Sequence, residues 1–284
     1  MQNLRHKRTF VLYQLFMSKV IFITGASSGI GKAIGEYLSL RNYVVFGTSR
    51  NPERIKDSKF PLIKMDVNDT DSITAAVSEI ISKKGRIDVV INNAGVGITG
   101  PIEETPENEI KNAFGTNLFG PINVIKAVLP QMRKQGEGYI INVTSIAGYM
   151  GLPYRGIYSA TKAAFEITIE AMRMETLQFG IKMTNVAPGD FATNIAAGRY
   201  HSPVLENSPY KRAYSNTLKL MDEHVDGGED PIKMAKVIYG IINTKNPKIH
   251  YRVGAPMQKI SIVLKRILPD KVYENLLLKH YKLK

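Results

Sequence analysis

Tyr158 and Lys162 stand four residues apart in the run Tyr158-Ser159-Ala160-Thr161-Lys162, thirteen residues beyond Ser145. On a helix, positions i and i+4 share a face at about 6 Å, so an ammonium placed there sits beside the phenol. A phenol titrates at about 10 in water and exchanges protons poorly at neutral pH, whereas an adjacent cation favours the phenolate and brings it toward the working range. Upstream lies Thr24-Gly25-Ala26-Ser27-Ser28-Gly29-Ile30-Gly31. Glycines in such a turn let the backbone approach a pyrophosphate, and the helix that follows offers free N–H groups and the positive end of its dipole. An acid/base pair downstream of a dinucleotide turn points to a nicotinamide-dependent oxidoreductase.

These residues need a frame to hold them. From Lys19 onward, apolar runs alternate with helical spacing. The runs predict strands at Val20–Thr24, Tyr43–Thr48, Phe60–Met65, Val89–Asn92, Tyr139–Val143 and Lys182–Ala187. Between them, helices are expected at Lys32–Leu40, Asp71–Lys83, Pro106–Gln135 and Ser159–Gln178. Strands with continuous rather than alternating apolar character, separated by helices of this length, imply a parallel sheet covered on both faces. The expected fold class is therefore α/β: a doubly wound, three-layer α/β/α single domain with right-handed crossovers. Phe191 to Gly228, rich in Asn, Ser, Pro, Tyr and Lys, is expected to be a loop with one or two short helices. Asp230-Pro231 opens a helix through Ile241, because proline suits a first turn after an acidic cap. Two further helical stretches, Ile260–Leu268 and Lys271–Tyr281, end the chain.

Composition narrows the function. Cysteine is absent, which excludes disulfides, thiolate metal sites and cysteine nucleophiles, and no metal site is expected. The net charge of +13 is concentrated at the two ends: residues 1–19 carry +4 and residues 245–284 carry +8, leaving the remaining 225 residues at +1. Nucleic-acid enzymes more often cluster basic residues with aromatics inside the folded domain, so no nucleic-acid partner is expected. The basic stretch Arg5–Arg8 and the apolar run Phe10–Met17 resemble the start of a signal peptide, but no small-residue cleavage site follows and the run is too short to span a bilayer. The expected organisation is a poorly ordered extension at 1–18, the α/β domain at 19–255 with a substrate loop at 190–228, and a basic amphipathic helical tail at 256–284. That tail is expected to pack on its own domain or a second copy, and a helix of its kind also suits an anionic membrane surface. The expected location is cytoplasmic, with peripheral membrane contact as the variant.

The glycine spacing, three residues and then Gly-x-Gly, is similar to that of the short-chain dehydrogenase/reductase family. The resemblance continues in order through Asp66-Val67, Asn92-Asn93-Ala94-Gly95, Asn117, Ser145, Tyr158/Lys162 and Pro188-Gly189, over roughly residues 19–244. It implies a Rossmann-type sheet and a dinucleotide held by Gly25, Ser27, Ser28, Gly29, Ile30 and Gly31. Asp66 and Val67 would approach the adenine, Asn93, Ala94 and Gly95 the fourth strand and nearby ribose, and Pro188 and Gly189 the nicotinamide. At the end of the second strand an acid would bind the ribose 2′-hydroxyl and repel a 2′-phosphate. This chain has Ser49-Arg50 instead, and a guanidinium suits phosphate, so NADP(H) is the expected cofactor.

The resemblance also implies roles for the reacting groups. Tyr158 would be the general acid for carbonyl reduction, and Lys162 would bind the nicotinamide ribose and stand beside the phenol. Ser145 would hydrogen-bond the substrate oxygen, and Asn117 would hold a water linking Lys162 to solvent. Phe191, Ile195, Tyr200, Tyr210, Tyr214, Leu220 and Met221, with Tyr149, Met150, Leu152 and Tyr154, suggest an apolar cleft. Asp230-Pro231 and Tyr251-Arg252-Val253-Gly254 resemble the hydroxysteroid and retinol dehydrogenase branch. The expected substrate is a hydrophobic secondary alcohol or ketone: a steroid, a retinoid or a lipid-derived carbonyl. A non-catalytic NADPH sensor and a sugar-nucleotide epimerase or dehydratase are the alternatives, and a homodimer or homotetramer is the assembly the family resemblance implies.

Overall fold

In the computed structural model, residues 18–192, 198–226 and 228–284 are described. The expectations for residues 1–17 and for Ile195 lie outside them. The strands are β1 (Val20–Ile23), β2 (Val44–Ser49), β3 (Leu62–Lys64), β4 (Val89–Asn92), β5 (Ile98–Thr99), β6 (Gly138–Val143), β7 (Ile181–Pro188), β8 (Tyr200–His201) and β9 (His250–Val253). Seven of them form one parallel sheet in the order β3-β2-β1-β4-β6-β7-β9, and β5 pairs with β8. The helices are α1 (Gly29–Ser39), α2 (Thr70–Lys84), α3 (Glu107–Phe114), α4 (Gly120–Gln135), α5 (Gly156–Thr176), α6 (Lys211–Asp226), α7 (Pro231–Ile242), α8 (Pro256–Ile267) and α9 (Asp270–His280).

The strand side chains alternate between two cores. Phe22, Val90, Ile140 and Met183 point to one face and meet Ile73 and Ile80 of α2, Val124 and Val128 of α4, and Phe165 and Ile169 of α5. Ile21, Ile23, Val89, Ile91, Ile141 and Val186 point to the other and meet Ile34 and Leu38 of α1 and Met234 and Ile238 of α7. Both faces of the central strands are thus dry, which is why their sequences are apolar without interruption. The chain winds outward from β1 in one direction to β3 and from β4 in the other to β9. The reversal between β1 and β4 leaves a crevice at the carboxyl ends of these strands, where ligands of such sheets bind.

One buried charge secures the entry to β1. Asp88 is 7% exposed; its Oδ2 accepts the Val20 amide at 2.7 Å, and its Oδ1 accepts Arg86 Nε at 2.8 Å. Asp88→Ala would strand a buried amide and leave the guanidinium short of its partner, costing about 2–4 kcal/mol. A urea midpoint unchanged from wild type would show that these bonds add nothing.

Two elements, β9 and α6, depart from the sequence expectation. β9, His-Tyr-Arg-Val, carries no apolar run, because it is the edge of the sheet and three of its four residues are only half-buried. The stretch expected to hold short helices contains α6, sixteen residues long, whose inward side is marked by the buried Tyr214, Thr217 and Met221, while lysine, arginine and asparagine elsewhere along it mask the periodicity. The last two helices pack on the domain: Ile262 and Tyr273 are buried against Ile146, Met150 and Ala187. Among the described residues no helix is long and apolar enough to cross a membrane.

Candidate active site

The loops leaving β1 and β4 are tied together by one hydroxyl. Thr24 Oγ1 accepts the amides of Asn93 and Ala94, each at 3.0 Å, while Asn93 Nδ2 donates to the carbonyls of Thr24 and Gly25. The approach leaves no room for side chains at two glycines. A Cβ on Gly25, whose φ is +63°, would lie 2.9 Å from the Ala94 Cα, and one on Gly31 would lie 2.5 Å from the Gly25 carbonyl and from Asn93 Nδ2. Ser28 is the N-cap of α1 yet makes no side-chain cap bond, so no serine oxygen covers the first amides of the helix. A close glycine backbone and an uncapped helix N-terminus facing a cleft suit a dinucleotide pyrophosphate. Gly31→Ala is expected to weaken dinucleotide binding at least about tenfold and to cost roughly 1–3 kcal/mol, as overpacking does. Fluorescence titration and a denaturation midpoint matching wild type would contradict this.

The cleft so formed encloses about 490 Å³. Its walls include Gly25, Ser27, Ser28, Gly29 and Ile30 from the turn, Ser49 and Arg50 from the end of β2, and Asp66 and Val67 beyond β3. Asn93, Ala94 and Gly95 beyond β4, Tyr158 and Lys162 from α5, and Pro188 are the other expected residues that line it. Sequence reading missed Asn51, Arg54 and Ile55, which also line it. The short turn Pro52–Arg54 returns Arg54 to the cleft that Arg50 also lines, and Pro52 just after Ser49-Arg50 is the available signal.

At the other end, α5 presents Tyr158 and Lys162. Lys162 is 5% exposed, its Nζ lies 5.9 Å from the centre of the Tyr158 ring, and it donates to the Val143 carbonyl at 3.2 Å. Arg155, one turn earlier, holds its guanidinium carbon 5.5 Å from the same ring. The end of α5 is fixed by Tyr154, whose φ of +58° is uncommon for a non-glycine residue. Its carbonyl accepts the Gly100 amide at 2.9 Å, and its ring lies 5.3 Å from that of the buried Tyr214.

Four expected site residues stand behind the cleft wall. Gly31 packs under the turn. Asn117 is 1% exposed within a π-helical segment, Gly115–Phe119, between α3 and α4. Its Oδ1 accepts the Val96 amide at 2.9 Å, and its Nδ2 donates to the Val96 carbonyl and to Thr161 Oγ1. A widened turn aims Asn117 away from the helix ladder, as π-bulges at functional sites do. Ser145 is 7% exposed and its Oγ accepts the Ala147 amide at 3.2 Å. Gly189 lies against Gln258 of α8, with no space for a Cβ.

Of the residues expected to form an apolar substrate cleft, several are core instead. Met150, Phe191, Tyr214 and Met221 are all less than a tenth exposed. Leu220 and Met221 also border a small cavity with Arg155, Asp190, Arg199, His280 and Tyr281. Burial pushes the Tyr281 hydroxyl above the usual phenol range, opposed by the neighbouring Arg155. The end of α9 therefore closes over the entrance to α5. A second buried group, Glu166, sits one turn beyond Lys162. Burial raises its carboxyl above the usual range, against the bonds it accepts from Tyr149 and His250.

Comparison with known proteins agrees with this frame. The family model for short chain dehydrogenases matches residues 19–203. A 3-ketodihydrosphingosine reductase of Bacteroides thetaiotaomicron is 41% identical over 257 residues, covering 90% of this chain and 95% of the relative. The crystal structure of a short-chain dehydrogenase from Streptomyces avermitilis superposes with a TM-score of 0.79 at 33% identity, covering 94% of this chain and 96% of that one. A structure of ElxO with NADP bound gives a TM-score of 0.67 at 27% identity, covering 84% of this chain and 96% of the other. With its parallel seven-stranded sheet, its glycine turn and these relatives, the chain belongs to the short-chain dehydrogenase/reductase family of oxidoreductases.

Proposed function

We propose that this protein is an NADPH-dependent reductase of a long-chain lipid ketone, working through Tyr158. The observation that carries the reading is the shared cleft. A glycine turn suited to a pyrophosphate, two arginines at one end, and a phenol with a buried ammonium at the other all line the same space. Bound NADPH supplies the hydride for such a reduction. The chain's own residues supply the proton and the positioning. Tyr158 donates its hydroxyl proton to the ketone oxygen as negative charge develops there. Lys162, held by the Val143 carbonyl, steadies the charge left on the phenol oxygen. Asn117 ties the Val96 loop to Thr161 on α5 and so keeps Lys162 in register with the cleft floor. Ser145, at the mouth of β6, accepts the Ala147 amide on its Oγ and keeps its hydroxyl proton to donate to the ketone oxygen.

Arg50 and Arg54 favour NADPH over NADH, since guanidinium groups bind a 2′-phosphate and no carboxylate stands at the end of β2 to hold a free ribose hydroxyl. Similarity to the 41% identical 3-ketodihydrosphingosine reductase, whose length this chain matches almost throughout, supports the choice of substrate class. Phe119, the last residue of the π-helical segment, and Ile167 on α5 are exposed apolar side chains that a second copy would cover. Purified protein offered NADPH with 3-ketodihydrosphingosine, a ketosteroid and a retinal is expected to reduce the sphingoid ketone at least about tenfold more efficiently than the others. Preference for the steroid, or consumption of none, would overturn the assignment of substrate.

A further inference from the structure

α8 buries one side over the active site. Gln258 Nε2 donates to Asp190 Oδ2 at 2.6 Å, and Ile262 is 1% exposed against Ile146 and Ala187. At 100° per residue the opposite side of this helix holds Met257, Ile260, Val263 and Ile267, which are 73, 46, 47 and 68% exposed. Spacings of three, three and four make these a continuous stripe rather than scattered apolar residues. α9 adds Val272 and Leu276, one turn apart and 46 and 45% exposed. Lys259 and Arg266 border the stripe on one edge, and Lys271, Lys279 and Lys282 are exposed on and beyond α9. Residues 245–284 carry +8 in a chain whose central 225 residues carry +1.

The occupant must cover apolar side chains and neutralise positive charge together. A second copy of the chain would set the same basic patch against itself, and a nucleic acid would leave the stripe in water. An anionic bilayer meets both demands, with the stripe at the headgroup–acyl boundary and the lysines among the headgroups. We propose that the α8–α9 face docks this enzyme onto an anionic lipid surface. If the lipid-ketone reading holds, the bilayer that carries the substrate lies against the helix whose inner side packs on Ile146, Ala187 and Gly189, the neighbours of Ser145 and Pro188.

The test is flotation with vesicles of phosphatidylcholine, with and without phosphatidylglycerol. Full-length protein is expected to float with the anionic vesicles at low salt and to stay behind with the neutral ones. Two independent variants, Lys259→Glu/Arg266→Glu and Ile260→Ser/Ile267→Ser, are each expected to lower the bound fraction by on the order of tenfold or more while melting as wild type does. Protein that fails to float, variants that float as wild type does, or variants that change only the oligomeric state in gel filtration would each overturn the proposal. Vesicle binding needs neither cofactor nor substrate, so its failure is separable from failure of the reductase reading.

Discussion

Tyr158→Phe is expected to reduce turnover by about 10²–10⁴-fold, the range over which a positioned general acid contributes. NADPH affinity should change less than about twofold, because the ring is retained and the glycine turn lies at the other side of the cleft. The variant removes one oxygen and leaves the ring that Arg155 and Lys162 approach at 5.5 and 5.9 Å. Lys162→Met should lose both properties, since a buried ammonium that lines the cleft is removed together with its bond to the Val143 carbonyl. The split between the two variants separates proton donation from cofactor placement. Tyr158→Phe with wild-type turnover would remove the phenol from the chemistry, whatever the protein binds.

Arg50→Asp is expected to invert the cofactor preference. A charge-assisted bond to a phosphate contributes about 1.5–3 kcal/mol, which is roughly ten- to a hundredfold in affinity. A carboxylate in its place also repels the 2′-phosphate and accepts from a free ribose hydroxyl. The ratio of kcat/KM for NADPH to that for NADH should therefore fall by about two to three orders of magnitude. Arg54→Ala alone should lower it by about tenfold, with NADH turnover unchanged. Identical ratios in wild type and Arg50→Asp would mean that the arginine is a solvated loop charge and that the cofactor is chosen elsewhere.

Much of this was legible in the sequence because continuous apolar strands and amphipathic helices encode a buried parallel sheet directly. Val89–Asn92 was legible to the residue, since both its faces are dry. β9 was not, because an edge strand with tyrosine and arginine carries no such pattern. The glycine turn was readable as a motif, but its reason was tertiary: Gly31 is pressed by Asn93, from a loop more than sixty residues away. Arg54 was missed for the same kind of reason, as only the fold of Pro52–Arg54 returns it to the cleft. The aromatic residues of the substrate loop misled in the other direction. Tyr214 and Met221 read as cleft lining, and the structure spends them supporting Tyr154 and packing α6. Helical spacing in the C-terminal stretch marked α8 and α9 as amphipathic, yet which of their faces is buried depends on Ile146 and Met150, far away in sequence.

The central claim is that this cleft reduces a ketone with a proton from Tyr158 and a hydride from bound NADPH. The most direct measurement follows the label from NADPH carrying deuterium at both positions of its nicotinamide C4 into the product, read by mass spectrometry. The account predicts one deuterium on the carbinol carbon of each alcohol formed by the wild type, and almost no labelled alcohol from Tyr158→Phe over the same interval. Alcohol formed without deuterium, or labelled equally fast by the variant, would contradict it.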